Sequence, residues 1–279
     1  MPQSYIKRIL DANDWHKATI DKQDIRNARR AYFANVSYID DKIGEILEAL
    51  DSVGFGEDTA IVFVSDHGDM LGERGLWYKM SFYEGSARVP LMVAAPGVEP
   101  GLVKTPASSI DITPTLADIA GIDLGEIAPW VDGESLLPIA AGAERKLPVR
   151  MEYAAEASQA PLVSIREGRF KYNHCELDPP QLFDLEADPH ELNNLADDPA
   201  HAETAADFAA KVRQFWDMKA YDDEVRESQA RRHVVYEALR AGQYRPWDFQ
   251  PMKDASERFM RNHMDLNILE ASQRWPRGE

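Results

Sequence analysis

The sequence predicts an α/β domain that gives way to a small α+β domain and then to a helical tail. Three observations predict it. An amphipathic helix over residues 24–50 runs directly into an apolar strand at about 60–65, the helix-to-strand unit of an α/β sheet. Past residue 150 the pattern changes to short strands joined as hairpins. Past Tyr221 it changes again, to charged helical stretches on either side of Tyr244-Arg245-Pro246-Trp247-Asp248-Phe249-Gln250-Pro251. The boundaries expected from these changes divide the chain into residues 1–140, 141–219 and 220–279.

Taken in order, residues 1–20 are mixed and poorly patterned. In the first helix Tyr32, Val36, Ile39, Ile43, Ile46, Leu47 and Leu50 recur at steps of three and four, which makes one apolar stripe. Asp21 or Asp24 can cap its start, and Gly54 lies where a stop is expected. Ala60-Ile61-Val62-Phe63-Val64 is apolar without alternation, the pattern of a strand buried on both faces and hence parallel to its neighbours. A second apolar strand over 91–95 is closed by Pro96-Gly97. Ser109-Ile110-Asp111-Ile112-Thr113-Pro114 opens a short helix that runs through Ile119 and ends at Gly121. Residues 125–150 are rich in loop formers, with Pro129, Gly133, Pro138, Gly142 and Pro148. Four strands are expected over 150–153, 162–166, 170–174 and 181–185, the middle two joined through Glu167-Gly168. A helix over 201–219 completes the α+β unit, and further helices are expected to about Ala241 and Ala271.

The 279 residues are 44% hydrophobic and carry a formal net charge of −17. That acidity excludes a nucleic-acid face and an anionic membrane surface, both of which need positive charge. No apolar run reaches the roughly 20 residues of a membrane-spanning helix, and no apolar segment follows Met1-Pro2-Gln3-Ser4-Tyr5-Ile6-Lys7-Arg8 as a secretory signal requires. One cysteine, Cys175, leaves no internal disulfide and suits a reducing, cytoplasmic setting.

The chemistry gathers where the first strand breaks into Ser65-Asp66-His67-Gly68-Asp69. Ligands of open α/β sheets collect past the carboxyl ends of strands. A carboxylate beside an imidazole at such an end can ligate a divalent cation; a polar turn after a buried strand is the plainer reading. Twelve residues on, Lys79 offers a positive charge to an anion held by that cation, or is solvated, or pairs with Glu73 or Glu84. Trp77, Tyr78 and Phe82 read as packing, and Arg74 and Arg88 as holding the loop through carboxylates. His174 and His190 read as structural and Cys175 as an inert strand residue.

The stretch SDHGDMLGERGLWYKMSFYEGSARVPL resembles the second signature of the sulfatase branch of the alkaline-phosphatase superfamily, the choline sulfatases in particular. Gln181-Leu182-Phe183-Asp184-Leu185, with Asp188-Pro189, Glu191 and Asn194-Leu195, is similar to a sulfatase C-terminal element, and the tail from Arg231 to Glu270 is similar to the choline-sulfatase extension. The resemblance covers the chain from about Arg29 onward. It implies part of an alkaline-phosphatase-like sandwich with a mixed sheet, followed by a four-stranded antiparallel sheet plus helix and by a tail that makes oligomer contacts. It implies Asp66 and His67 as metal ligands for Ca²⁺, with Mg²⁺ or Mn²⁺ as alternatives, and Lys79 as the group on the sulfate oxygens that helps the leaving alkoxide. It implies Glu156 facing the trimethylammonium group of choline-O-sulfate, and Asp265 adding negative charge from an adjacent subunit of a homo-oligomer.

One departure stands out. No C-x-P-x-R or S-x-P-x-R, the source of the formylglycine nucleophile, occurs in the chain; Cys175 is followed by Glu-Leu-Asp. The resemblance therefore covers the C-terminal portion of such an enzyme, inactive by itself, with a complementary N-terminal fragment as a partner. Two alternatives stay open: phosphodiester or phosphonate hydrolysis on the same scaffold, and a non-catalytic binding or oligomerisation module.

Overall fold

The computed structural model describes residues 5–12 and 19–242. Expectations for the aromatic run at 244–251, for a helix ending near Ala271 and for Asp265 lie outside the described residues.

Helix α1 spans Tyr5–Ala12 and corrects the reading of this region as unpatterned. Its Ile9 is buried against Met70, Leu76, Tyr83 and Phe183, residues far away in sequence, so the helix owes its place to tertiary burial. Helix α2 spans Lys22–Ser52 and opens on a capping box, with Asp21 accepting from the Gln23 and Asp24 amides and Asp24 reaching back to the Asp21 amide. Its first turns dock on the 70–73 loop: Arg29 donates to the Leu71 carbonyl and pairs with Glu73. Its apolar stripe is not covered by the described residues. No residue of α2 is buried, and Phe33 and Ile46 are about two-thirds exposed, at 64% and 66%.

Strand β1, Ile61–Val64, pairs antiparallel with β4, Leu91–Ala94, in a two-stranded sheet. This corrects the expected parallel, doubly buried strand. All four β1 residues are only partly buried, because an apolar run reports a capacity for burial, not the direction of its neighbour. Between the two strands lie the hairpin β2 (Met70–Leu71) and β3 (Trp77–Tyr78) and the single turn α3 (Glu84–Ala87). Helix α4, Ile112–Ile119, follows a 3₁₀ turn, and Gly121 ends it with φ 68°. The loop-rich span holds two short helices, α5 (Leu124–Ile127) and α6 (Leu136–Ala140). Asp111, fully buried, ties this region together. Its carboxylate takes a fork from Arg145 at 2.7 and 3.1 Å and accepts the Ser108 and Glu134 amides.

Strands β5 (Val149–Tyr153), β6 (Leu162–Glu167), β7 (Phe170–Cys175) and β8 (Asp178–Asp184) form the expected four-stranded antiparallel sheet, in that spatial order. Gly168 and Arg169 make the two-residue turn between β6 and β7, Gly168 at φ 53°. One face buries Val163, Ile165, Tyr172 and Leu182 against Phe208 and Val212 of helix α7, Ala202–Phe215. The other face turns Lys171, Asn173 and Phe183 toward the β2–α3 region, where Phe183 joins Tyr83 and Ile9. The helix expected over 201–219 breaks at Trp216, and α8 runs from Met218 to Ala241 with Asp217 as its cap. Two bonds pin this junction to the β5–β6 connection: Trp216 Nε1 donates to Glu152 at 2.6 Å, and Arg226 donates to the Gln159 carbonyl at 3.1 Å.

Candidate active site

Strand β1 delivers Ser65-Asp66-His67-Gly68 as a tight polar turn. Ser65 Oγ donates to the His67 carbonyl at 2.8 Å, and the His67 amide donates to Asp66 Oδ1 at 2.9 Å. That amide is the main cause holding the Asp66 carboxyl below the usual range. His67 Nδ1 lies 2.9 Å from the Gly68 carbonyl, which can only accept, so Nδ1 carries the ring proton. Nε2 then presents a lone pair. Asp66 Oδ2 presents another, 3.2 Å away. Two such atoms repel unless a positive charge stands by them, and here it is the Lys79 ammonium, 2.8 Å from Nε2.

The backbone that holds these groups is unusually constrained. The Gly68 amide donates to the Ser86 carbonyl at 2.8 Å. A Cβ on Gly68 would sit 2.4 Å from the Gly85 carbonyl oxygen, so only glycine fits this approach. Ser86, 2% exposed, also donates from Oγ to the Lys79 carbonyl at 2.6 Å. Tyr78, just before Lys79, holds a left-handed φ of 64°, a conformation that costs a side-chain-bearing residue on the order of 1–3 kcal/mol.

Glu156 follows β5. It accepts from the Tyr153 hydroxyl at 2.8 Å, and Tyr153 meets Tyr5 edge-on at 6.0 Å. Its own backbone amide, then the Tyr153 hydroxyl and the Lys79 charge hold its carboxyl below the usual range. The structure thus brings Asp66, His67, Lys79 and Glu156 into one electrostatic neighbourhood; Asp265 lies outside the described residues.

Several neighbours play other parts than expected. Glu73 pairs with Arg29 and Glu84 with Lys171, so neither holds Lys79. Among the described residues Arg74 pairs with no carboxylate; it lies 4.3 Å over the Tyr83 ring and donates to the His190 carbonyl. Tyr78 is exposed rather than packed. His174 pairs with the exposed Glu176, and Cys175 is buried and free, its thiol pushed up by burial. Among the described residues, no group of three or more His, Cys, Asp or Glu is placed to hold a metal ion. Likewise, no described helix is long and apolar enough to cross a membrane.

Sequence reasoning missed Ser86, Lys171 and the bonding role of Glu191. The signal available was weak: a lysine inside the strand Phe170–Cys175, and a glutamate within the Asp188-Pro189-His190-Glu191 turn.

Comparison with known proteins places this geometry. A family profile described as Sulfatase matches residues 2–122. One described as N-sulphoglucosamine sulphohydrolase, C-terminal, matches 72–217, and one described as Choline sulfatase enzyme C terminal matches 223–275. The choline-sulfatase of Rhizobium meliloti (strain 1021) is 59% identical over 276 residues, which is 98% of this chain and 54% of that protein. The chain thus spans about half the length of this relative. Among solved structures, the phosphonate monoester hydrolase of Agrobacterium radiobacter is 30% identical with a TM-score of 0.60, over 72% of this chain and 43% of that one. A protein solved with its substrate D-glucosamine-2-N,6-O-disulfate is 26% identical with a TM-score of 0.62, over 79% of this chain and 47% of that one.

Proposed function

The chain belongs to the sulfatase family, and on that premise we propose that it forms the cation-ligating and sulfate-facing part of an enzyme that hydrolyses choline-O-sulfate to choline and sulfate. The observation that carries this is His67 Nε2 lying 3.2 Å from Asp66 Oδ2 and 2.8 Å from Lys79 Nζ. A carboxylate oxygen and an unprotonated ring nitrogen facing each other fit a divalent cation, and the oxygen favours Ca²⁺, with Mg²⁺ or Mn²⁺ as alternatives. Two ligands are fewer than such an ion takes, so the remainder come from water or from residues outside this cluster. A cation bound there supplies positive charge against a sulfuryl oxygen.

Lys79 then donates to the sulfuryl oxygens and balances charge on the departing alkoxide. Glu156, oriented by the Tyr153 hydroxyl, faces the quaternary ammonium end of the substrate. The formylglycine nucleophile has no source motif in these 279 residues, so turnover needs a complementary N-terminal portion that carries it.

Calorimetric titration of the chain with Ca²⁺ tests the core of this. Saturable binding that Asp66→Ala or His67→Ala removes supports it; binding that survives both variants ends it. A second reading, phosphonate ester hydrolysis, is favoured by the likeness to a phosphonate monoester hydrolase. Relative turnover of matched sulfate and phosphonate esters, by the chain joined with its complementary half, separates the two. Turnover by the purified chain itself would refute its dependence on that half.

A further inference from the structure

Lys171 is the largest of the fully buried side chains, with 0% exposure. From β7 it points away from the α7 core and toward the loop that carries Lys79. Its ammonium donates to the Phe82 carbonyl at 2.6 Å and to Glu84 Oε1 at 2.8 Å, and it pairs with the Glu191 carboxylate, Oε1 at 2.5 Å. The other oxygen of Glu191 accepts the Glu84 amide at 2.7 Å. Glu191 reaches it from a left-handed backbone, φ 56°. Apart from the Lys171–Glu191 pair itself, these contacts end on the first residue of α3 or on Phe82, two residues before it.

Stability does not explain such a cluster. One ammonium and two carboxylates cost several kcal/mol each to desolvate, and apolar side chains of similar volume stabilise at least as well. What the cluster does achieve is position. It grips α3 at its first residue. Ser86, in the same turn, donates to the Lys79 carbonyl and accepts the Gly68 amide next to His67. The path from β7 to the candidate site therefore runs from Lys171 to Glu84, along the α3 backbone to Ser86, and from Ser86 Oγ to the Lys79 carbonyl.

We propose that Lys171, with Glu84 and Glu191, positions α3 so that Ser86 sets the separation between Lys79 Nζ and His67 Nε2. Lys171 and Glu191 are positioning residues: they touch no reacting group and act through Ser86. The four-stranded sheet is by this account part of the site's framework. The inference rests on the reading that Lys79 and His67 face one ligand, but its test reads their contact directly.

The experiment is nitrogen-15 NMR of the 279-residue chain with labelled histidine, which reports the His67 tautomer and the hydrogen bond accepted at Nε2. Lys79→Met gives the reference for loss of that bond. Ser86→Ala and Lys171→Met are expected to move the Nε2 signal most of the way to that reference. Lys171→Arg is expected to restore at least half of the shift, because a guanidinium keeps the charge and donors. Ca²⁺ affinity, read in parallel, should fall roughly tenfold or more in Ser86→Ala, the scale of a lost outer support around a metal ligand. An Nε2 signal unchanged in both variants, with only a lower thermal midpoint, makes the cluster a simple tie between units and overturns the proposal. Should Lys171→Met not fold, Ser86→Ala decides, since it deletes one hydroxyl. A wild-type chain whose His67 signal shows the Lys79 bond but ignores Ca²⁺ defeats the proposed function and leaves this inference standing.

Discussion

Gly68 is where the candidate site tolerates added atoms least. A methyl group there meets backbone at 2.4 Å, and backbone cannot rotate aside as a flexible side chain can. Gly68→Ala should therefore push α3 off the Asp66–His67 turn and cost roughly 1–3 kcal/mol, as overpacking does, readable as a lower denaturant midpoint. Asp184 sets a pH dependence instead. The Arg169 side chain chiefly, then the Ala187 and Glu186 amides, hold its carboxyl below the usual range. A carboxyl lowered on folding stabilises the fold above its unfolded value, near 3.9, and the contribution disappears as pH falls through the lower folded value. Thermal midpoints taken from pH 7 down to pH 2 should drop more steeply below about pH 4 in the wild type than in Asp184→Asn. Equal slopes would show that the pair adds nothing, a real test because Arg169 is itself partly exposed and screened. At this scale the sequence was informative only where a motif concentrated rare neighbours. Asp66, His67 and Lys79 were legible because a carboxylate and an imidazole follow an apolar run. Lys171 was not: a lysine alternating with Tyr172 reads as the wet side of a strand, and only packing on both faces of the sheet reverses that.

Elements were legible in proportion to how local their causes are. Helix α2 announced itself through its periodicity and its Asp21–Asp24 cap, and the β6–β7 hairpin through Gly168. Helix α1 stayed hidden because its cause is the distant pocket that receives Ile9. The parallel reading of β1 failed because nothing inside Ile61–Val64 encodes the direction of Leu91–Ala94. The 3₁₀ turn before α4 carries an energetic test. Asp111 is a charge with no exposure whose partners are one guanidinium and two amides. Removing it leaves Arg145, itself 9% exposed, with only the more distant Glu134 carboxylate at 3.5 Å. Asp111→Ala should cost about 3–5 kcal/mol, the scale of breaking a buried pair. Chemical denaturation checks this, and a loss under 1 kcal/mol would mean that water replaces the carboxylate.

For the whole molecule, the sheet β5–β8 is covered on both faces while the α2–β1–β4 side is not. Phe33, Val36, Ile39 and Ile46 form an apolar stripe on α2 that the described residues leave exposed, and Met92 of β4 is more than half exposed as well. Stretches of this size make a protein associate. The chain should sediment as oligomers at micromolar concentration, and Ile39→Glu with Ile46→Lys should shift it toward monomer; analytical ultracentrifugation gives the answer. A sharp monomer in the unmodified chain would contradict this. The junction at Trp216 has a wider consequence. Because Glu152 and Gln159, on either side of Glu156, are bonded to Trp216 and Arg226, a shift of α8 is expected to be felt in the loop that carries Glu156.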